Sequence, residues 1–207
     1  MSGLSRRDFV KRSAFALAAP AAGLSLYAAA QEAAKVAPSE QVRVGLIGAG
    51  GMGRGDLATF FLNPEVVCPV ICDIDDKNLG ECARMVEGQR GKAPETVKDF
   101  RKVIERNDID VVLVATPDHW HALPTVLACQ AGKDVYCEKP LGKTIDEGRA
   151  MITAMEENKR IVQMGTQWRS GEHYRAAIEF VHSGKLGRIR MVRAWAYLDW
   201  LGGVGNP

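Results

Sequence analysis

Two groups of side chains in this sequence have the types and spacing to do chemistry. Gly48, Gly50 and Gly53 stand in G-x-G-x-x-G order within Gly48-Ala-Gly-Gly-Met-Gly53. In such a turn the first glycine permits the tight bend, the second lets a pyrophosphate touch backbone, and the third allows close helix-to-strand packing. Gly51 and Met52 complete the loop, and a helix beginning near Met52 would aim its free N–H groups and positive dipole end at the phosphates. Asp73 lies 20 residues beyond the last glycine. A carboxylate there accepts hydrogen bonds from both ribose hydroxyls of an adenosine and repels a 2′-phosphate. The chemistry implied is dinucleotide binding, with NAD favoured and NADP the second choice.

The second group is Glu138-Lys139-Pro140. Oxidising a secondary alcohol needs a hydride acceptor near the carbinol carbon and a group that takes the hydroxyl proton or stabilises the alkoxide. Lys139 can be that group where burial and a second positive charge favour its neutral form and Glu138 fixes its position. The alternative for Lys139 taken alone is a solvated surface lysine.

Both groups need elements to position them. Val42, Val44, Leu46 and Ile47 form the apolar run of a strand buried on both faces, and Val66 to Cys72 forms a second that ends at Asp73. Leu79, Cys82, Ala83 and Val86 make one helical face and Phe100, Val103 and Ile104 another. A strand at Asp110–Ala115 then runs into Thr116-Pro117-Asp118-His119-Trp120-His121, at the sheet edge where ligands sit in such folds. A helix with Pro124 in its first turn leads to a strand at Asp134–Cys137. Thr144 and Glu147 form a capping box for a helix whose buried face would carry Met151, Ile152 and Met155. Ile161–Met164 is a further strand, and Tyr174, Ala177, Ile178 and Val181 form a helical face. Arg188 to Tyr197 alternates like a half-buried strand.

This alternation predicts an α/β fold, a Rossmann-type doubly wound parallel sheet over residues 41–165. Residues 166–207 then read as the incomplete start of an α+β second domain with an open sheet, and 31–40 as a linker.

The first residues read as an export signal. Ser5-Arg6-Arg7-Asp8-Phe9-Val10-Lys11 is a twin-arginine signature, followed by an alanine-rich run and by Ala28-Ala29-Ala30 before Gln31, an A-x-A cleavage site. Pro20 and Gly23 interrupt the run, which argues against an uncleaved membrane span. Residues 1–30 carry Arg6, Arg7, Lys11 and Arg12 against Asp8, so of the overall net charge of +2 the remainder is left near −1. Nothing in that balance points to nucleic acid or a membrane surface. The expected location is the periplasm or beyond, where a nicotinamide cofactor must stay tightly bound and be recycled in place. The 5 cysteines, Cys68, Cys72, Cys82, Cys129 and Cys137, fall mostly on apolar elements and read as buried thiols. No metal-ligand spacing is present.

With Gly48-Ala-Gly-Gly-Met-Gly53, Ala115-Thr-Pro-Asp-His-Trp-His121, Cys137-Glu-Lys-Pro140 and Gly187-Arg-Ile189 in this order, the chain resembles the Gfo/Idh/MocA family. This is the group of glucose–fructose oxidoreductase and inositol dehydrogenase. The resemblance implies that Glu138 lies by the nicotinamide ribose, that Lys139 points into the active site and that the Lys139–Pro140 peptide is cis. It implies that Thr116 and Pro117 line the nicotinamide side, that His121 begins the next helix beneath the cofactor, and that Gln167, Arg169 and Tyr174 enter the substrate cleft. The implied activity is hydride transfer between bound NAD(P) and a sugar, cyclitol or glycoside hydroxyl, in a homo-oligomer. A redox-assisted glycoside hydrolase or lyase is the implied variant. A non-catalytic nucleotide-binding fragment is the reading from another class. In the family a second domain supplies an Asp and a His to the proton relay, beyond what residues 166–207 hold. His119 and His121 straddle Trp120, so that one faces the cleft while the other is structural. Trp120 and Trp168 read as a sugar-stacking wall or as core, and His173 and His182 as helix-surface residues.

Overall fold

The structure is a computed structural model that describes residues 37–167 and 169–195. The signal-peptide reading, Trp168 and the segment from residue 196 onward lie outside the described residues. The chain divides into two compact units between Met164 and Gly165.

The first unit is built on strands β1 (Val42–Ile47), β2 (Val66–Cys72), β3 (Glu95–Val97), β4 (Val111–Val114), β5 (Asp134–Glu138) and β6 (Val162–Gly165). They lie in the order β3-β2-β1-β4-β5-β6. β1 pairs in parallel with both β2 and β4, β2 with β3, and β4 with β5. The connecting helices are α1 (Gly51–Phe60), α2 (Asp76–Arg90), α3 (Arg101–Ile104), α4 (Ala122–Gln130) and α5 (Ile145–Glu157). The order reverses between β1 and β4, which opens the crevice where ligands bind in doubly wound sheets.

The continuous apolar runs follow from burial on both faces. Val44, Leu46 and Leu113 pack on one face with Leu57 of α1 and with Leu79, Cys82 and Val86 of α2. Their strand neighbours Ile47, Val112 and Val114 pack on the other face with Val103, Ala128 and Met151. Each fully buried Val, Leu, Ile or Met among them contributes about 1.5–3 kcal/mol relative to exposure. All five cysteines are free and buried, as expected.

Three details differ from the sequence reading, while β2 has the expected bounds and carries a bulge. The edge strand β3 was not expected, because three residues carry no periodicity to detect. Pro69 sits inside β2, where the pairing with β1 slips between Arg43 and Gly45. A bulge admits the residue that cannot donate to the ladder. On α5 the buried face is Met151 and Ala154 with Met155 beside them, while Ile152 is 48% exposed. One residue of rotation on a helix of 3.6 residues per turn carries it off that stripe. The predicted strand from Arg188 is absent among the described residues, where 188–195 are exposed and irregular. No partner strand there offers it hydrogen bonds, and an unpaired strand is not stable alone.

The second unit holds α6 (Glu172–His182). It starts after Gly171 and buries none of its residues, so Tyr174, Ile178 and Val181 are exposed. Among the described residues no helix is long and apolar enough to cross a membrane.

Candidate functional site

The glycine turn is built by contacts that exclude side chains. Gly48 has φ +95°, and a Cβ on it would stand 2.6 Å from the Ala115 backbone. A Cβ on Gly53 would stand 1.9 Å from the Gly48 carbonyl oxygen, so α1 lies directly on the turn. On Gly50 or Gly51 a Cβ would meet nothing within 4 Å. The floor of the cradle is therefore open for a group lying against backbone, which is what a pyrophosphate at a helix N-terminus requires.

Asp73 fixes the turn from β2. Its Oδ2 accepts from the Ala49 N–H at 2.8 Å and its Oδ1 from the Asp75 N–H at 2.9 Å. Each oxygen keeps a further lone pair for a ribose hydroxyl. Arg54, which the sequence reading did not single out, donates to the Ala49 carbonyl at 2.9 Å and pairs with Glu81 at 3.0 Å, tying α1 and the turn to α2.

Around the turn lies a cleft of about 840 Å³, within the ordinary range for small-molecule and cofactor sites. Of the expected residues, Gly48, Gly50, Gly51, Met52, Asp73, Thr116, Pro117, Glu138 and Lys139 line it. The cleft thus runs from the end of β2, past β1, to the ends of β4 and β5. Gly53 and His121 do not line it, Gly53 because it packs on the turn. His121 is 1% exposed, with Nδ1 2.5 Å from the Pro140 carbonyl oxygen and Nε2 2.7 Å from that of Thr116. The ring bridges the two loops that carry Thr116 and Lys139. His119 lines the cleft instead, so the pair divides into one structural and one cleft histidine.

At the end of β5, Glu138 is buried and its Oε2 accepts from the Lys139 N–H at 3.2 Å. The Lys139–Pro140 peptide is cis. Thr116 Oγ1 donates to the Trp120 carbonyl at 3.1 Å, closing the short 3-10 turn Asp118–Trp120. Trp120 lines the cleft, half-exposed, with its ring 6.1 Å from that of Phe100. Burial pushes the Cys72 thiol at the cleft's edge up to about 12, with Asp73 and Asp99 adding to it, so it stays protonated and unreactive.

Gln167, Arg169 and Tyr174 belong to the second unit and are exposed there. The lining also includes residues the sequence reading left out, chiefly Ile74, Asn78 and Phe100. Phe100 had been read as part of a helix face; its place beside the cleft depends on the unexpected strand β3. Among the described residues no cluster of His, Cys, Asp or Glu could hold a metal ion.

Residues 42–166 match the family model of the Gfo/Idh/MocA group, described as an oxidoreductase family with an NAD-binding Rossmann fold. The chain is 30% identical over 176 residues to a levoglucosan dehydrogenase of Pseudarthrobacter phenanthrenivorans, covering 81% of this chain and 44% of that protein. It is 31% identical over 183 residues to a glycosyl hydrolase family 109 protein of Saccharopolyspora erythraea, covering 86% and 39%. Among solved structures, a myo-inositol 2-dehydrogenase of Lactobacillus plantarum superposes with a TM-score of 0.63 at 27% identity, over 72% of this chain and 43% of that one. The chain thus spans less than half the length of each of these relatives.

Proposed function

The chain belongs to the Gfo/Idh/MocA oxidoreductase family by the match over residues 42–166, and from that premise we propose that it is the nucleotide-binding portion of an exported NAD-dependent oxidoreductase. Its substrate is a sugar, cyclitol or glycoside hydroxyl, and the active protein is a homo-oligomer. The observation that carries the reading is the single cleft joining the open glycine cradle and Asp73 to Glu138 and Lys139. A nicotinamide cofactor bound there supplies the hydride acceptor and donor. The backbone of Gly50 and Gly51, at the start of α1, would hold the phosphates, and Asp73 would hold the adenosine ribose. Asp73 favours NAD over NADP because its charge opposes a 2′-phosphate.

Thr116 and Pro117 form the wall on the nicotinamide side, held by His121 from beneath. Glu138 orients the ribose and the Lys139 backbone. Lys139 takes the hydroxyl proton as the carbinol is oxidised and returns it when the carbonyl is reduced. Gln167, Arg169 and Tyr174 contribute contacts to the substrate. The levoglucosan and inositol dehydrogenases among the relatives support a polyhydroxylated ring as substrate class.

Export rests on Arg6-Arg7 and on Ala28-Ala29-Ala30. Outside the cytoplasm a tightly held cofactor must be reoxidised or reduced in place. The test is mass spectrometry and absorbance of the nucleotide released by denaturing protein purified from the periplasm. Stoichiometric NAD is the expected result; protein that is empty and binds none on addition would overturn the reading.

A second reading is favoured by the glycosyl hydrolase family 109 relative. Transient oxidation of a sugar carbon, elimination of the glycosidic substituent, addition of water to the unsaturated ketone and re-reduction would hydrolyse a glycoside with no net NADH. Cleavage without NADH release would select this reading over simple dehydrogenation.

A further inference from the structure

Asp56 is a half-buried residue that the proposed reaction leaves unused. It lies on α1, one turn before Phe60, and so shares a helix face with it. Tyr136 and Glu138 are two apart on β5 and share a strand face. The Phe60 and Tyr136 rings meet edge-on, centroids 5.2 Å apart with planes at 84°. α1 begins at the sheet edge where β5 ends, so the same register sets Asp56 against Glu138. The Asp56 Oδ2 is buried with no hydrogen-bond partner among the described residues.

The charges facing Asp56 are few. Burial pushes its carboxyl up to about 6, the negative charge of Glu138 adds to this, and Lys139 opposes it. Tyr136 is pushed up by burial and then by the charges of Asp56 and Glu138. Asp56 thus feels the charges of Glu138 and Lys139, which line the β5 end of the cleft while Asp56 lies outside the lining.

We propose that Asp56 is a positioning residue that acts with Glu138 on the charge of the cofactor, favouring the oxidised, cationic nicotinamide over the neutral reduced one. The inference rests on the nicotinamide reading of the cleft given above. Oxidised nicotinamide carries a positive charge that is lost when hydride is added. A fixed carboxylate in a region shielded from water stabilises the first form and has little effect on the second. The bias makes the oxidised cofactor the resting form of a protein that keeps its nucleotide between turnovers. Protonating Asp56 removes one of the two charges, so the bias weakens in acid.

The experiment titrates the nucleotide-free chain separately with NAD⁺ by calorimetry and with NADH by fluorescence, from pH 5.5 to pH 8, as wild type and as Asp56→Asn. At pH 8 the ratio of NAD⁺ to NADH affinity is expected to be roughly three- to tenfold higher in the wild type. That difference should collapse as the pH falls through about 6, the range in which Asp56 takes up a proton. If the variant folds poorly, the same pH series in His119→Gln, which removes the histidine lining the cleft, keeps the test on Asp56. Equal ratios in the two proteins at pH 8, or a wild-type ratio that does not change with pH, would overturn the inference while leaving the nucleotide reading intact. Failure of both nucleotides to bind would overturn that reading, and this inference with it.

Discussion

Asp73 uses both carboxylate oxygens on backbone N–H groups, one in the glycine turn and one at the start of the loop into α2. It therefore shapes the cradle as well as lining the cleft. Asp73→Ala is expected to weaken NAD binding about 10- to 100-fold, the range for losing hydrogen bonds to a charged group. NADP should lose less, because the repulsion of its 2′-phosphate disappears with the charge. Fluorescence titration with NADH and NADPH reads both effects, and an unchanged preference would remove Asp73 from the ribose site. Residues of this kind were legible in the sequence because few residue types can do their work. Only glycine tolerates the Gly48 and Gly53 positions, and an acid at the end of β2 has a specific partner. Asp56 and Phe100 were not legible, since their placement depends on which element lies across from them. A bridging role for His121 was equally hidden: its two partners lie 5 and 19 residues away on separate loops.

The helices and central strands were legible because parallel strands buried on two faces leave unbroken apolar runs, and because Thr144 and Glu147 mark a helix start by reciprocal hydrogen bonds. Elements without such a signal were misread. β3 is three residues long, Ile152 adjoins the buried stripe of α5 without belonging to it, and the alternation after Arg188 has no described strand to pair with. α1 shows how much an element's position depends on one atom. Gly53→Ala would drive a Cβ into the Gly48 carbonyl and push α1 off the turn, with an expected loss of about 1–3 kcal/mol as overpacking and of nucleotide binding. Gly55, two residues on, has open space around it. Gly55→Ala should stabilise by about 0.5–1 kcal/mol through helix propensity alone. Urea denaturation of the two variants separates close packing from propensity. Similar midpoints would mean that α1 does not rest on the turn.

Across the whole first unit, the two ends of the sheet have different work. The cleft occupies the carboxyl ends of the strands, while the opposite end carries charge pairs that close the β1–β4 seam. Arg43 donates through Nε and Nη2 to Asp110 at 2.8 and 2.6 Å, and its backbone N–H reaches the same carboxylate at 2.9 Å. Nearby, Lys133 Nζ donates to the Ile109 carbonyl at 3.0 Å and to that of Arg106, and Arg106 pairs with Asp108 and Glu95. Hydrogen bonding from Arg43 holds the Asp110 carboxyl below its ordinary value of 3.8, against the cost of its burial. A carboxyl depressed on folding contributes stability above its unfolded value and loses it as the pH falls through the folded one. Asp110→Asn should therefore lower the melting temperature by a few degrees at pH 7. The gap to wild type should narrow as the pH falls from about 4 through the lower folded value, where the wild-type group itself takes up a proton. Because Asp110 lies at the far end of β4 from Thr116, the NAD dissociation constant should stay unchanged. Thermal melts against pH, run beside a nucleotide titration, test both halves. A gap that widens in acid would mean the Arg43 contact does not depend on charge, and weakened NAD binding would mean the two ends of the sheet are coupled through β4.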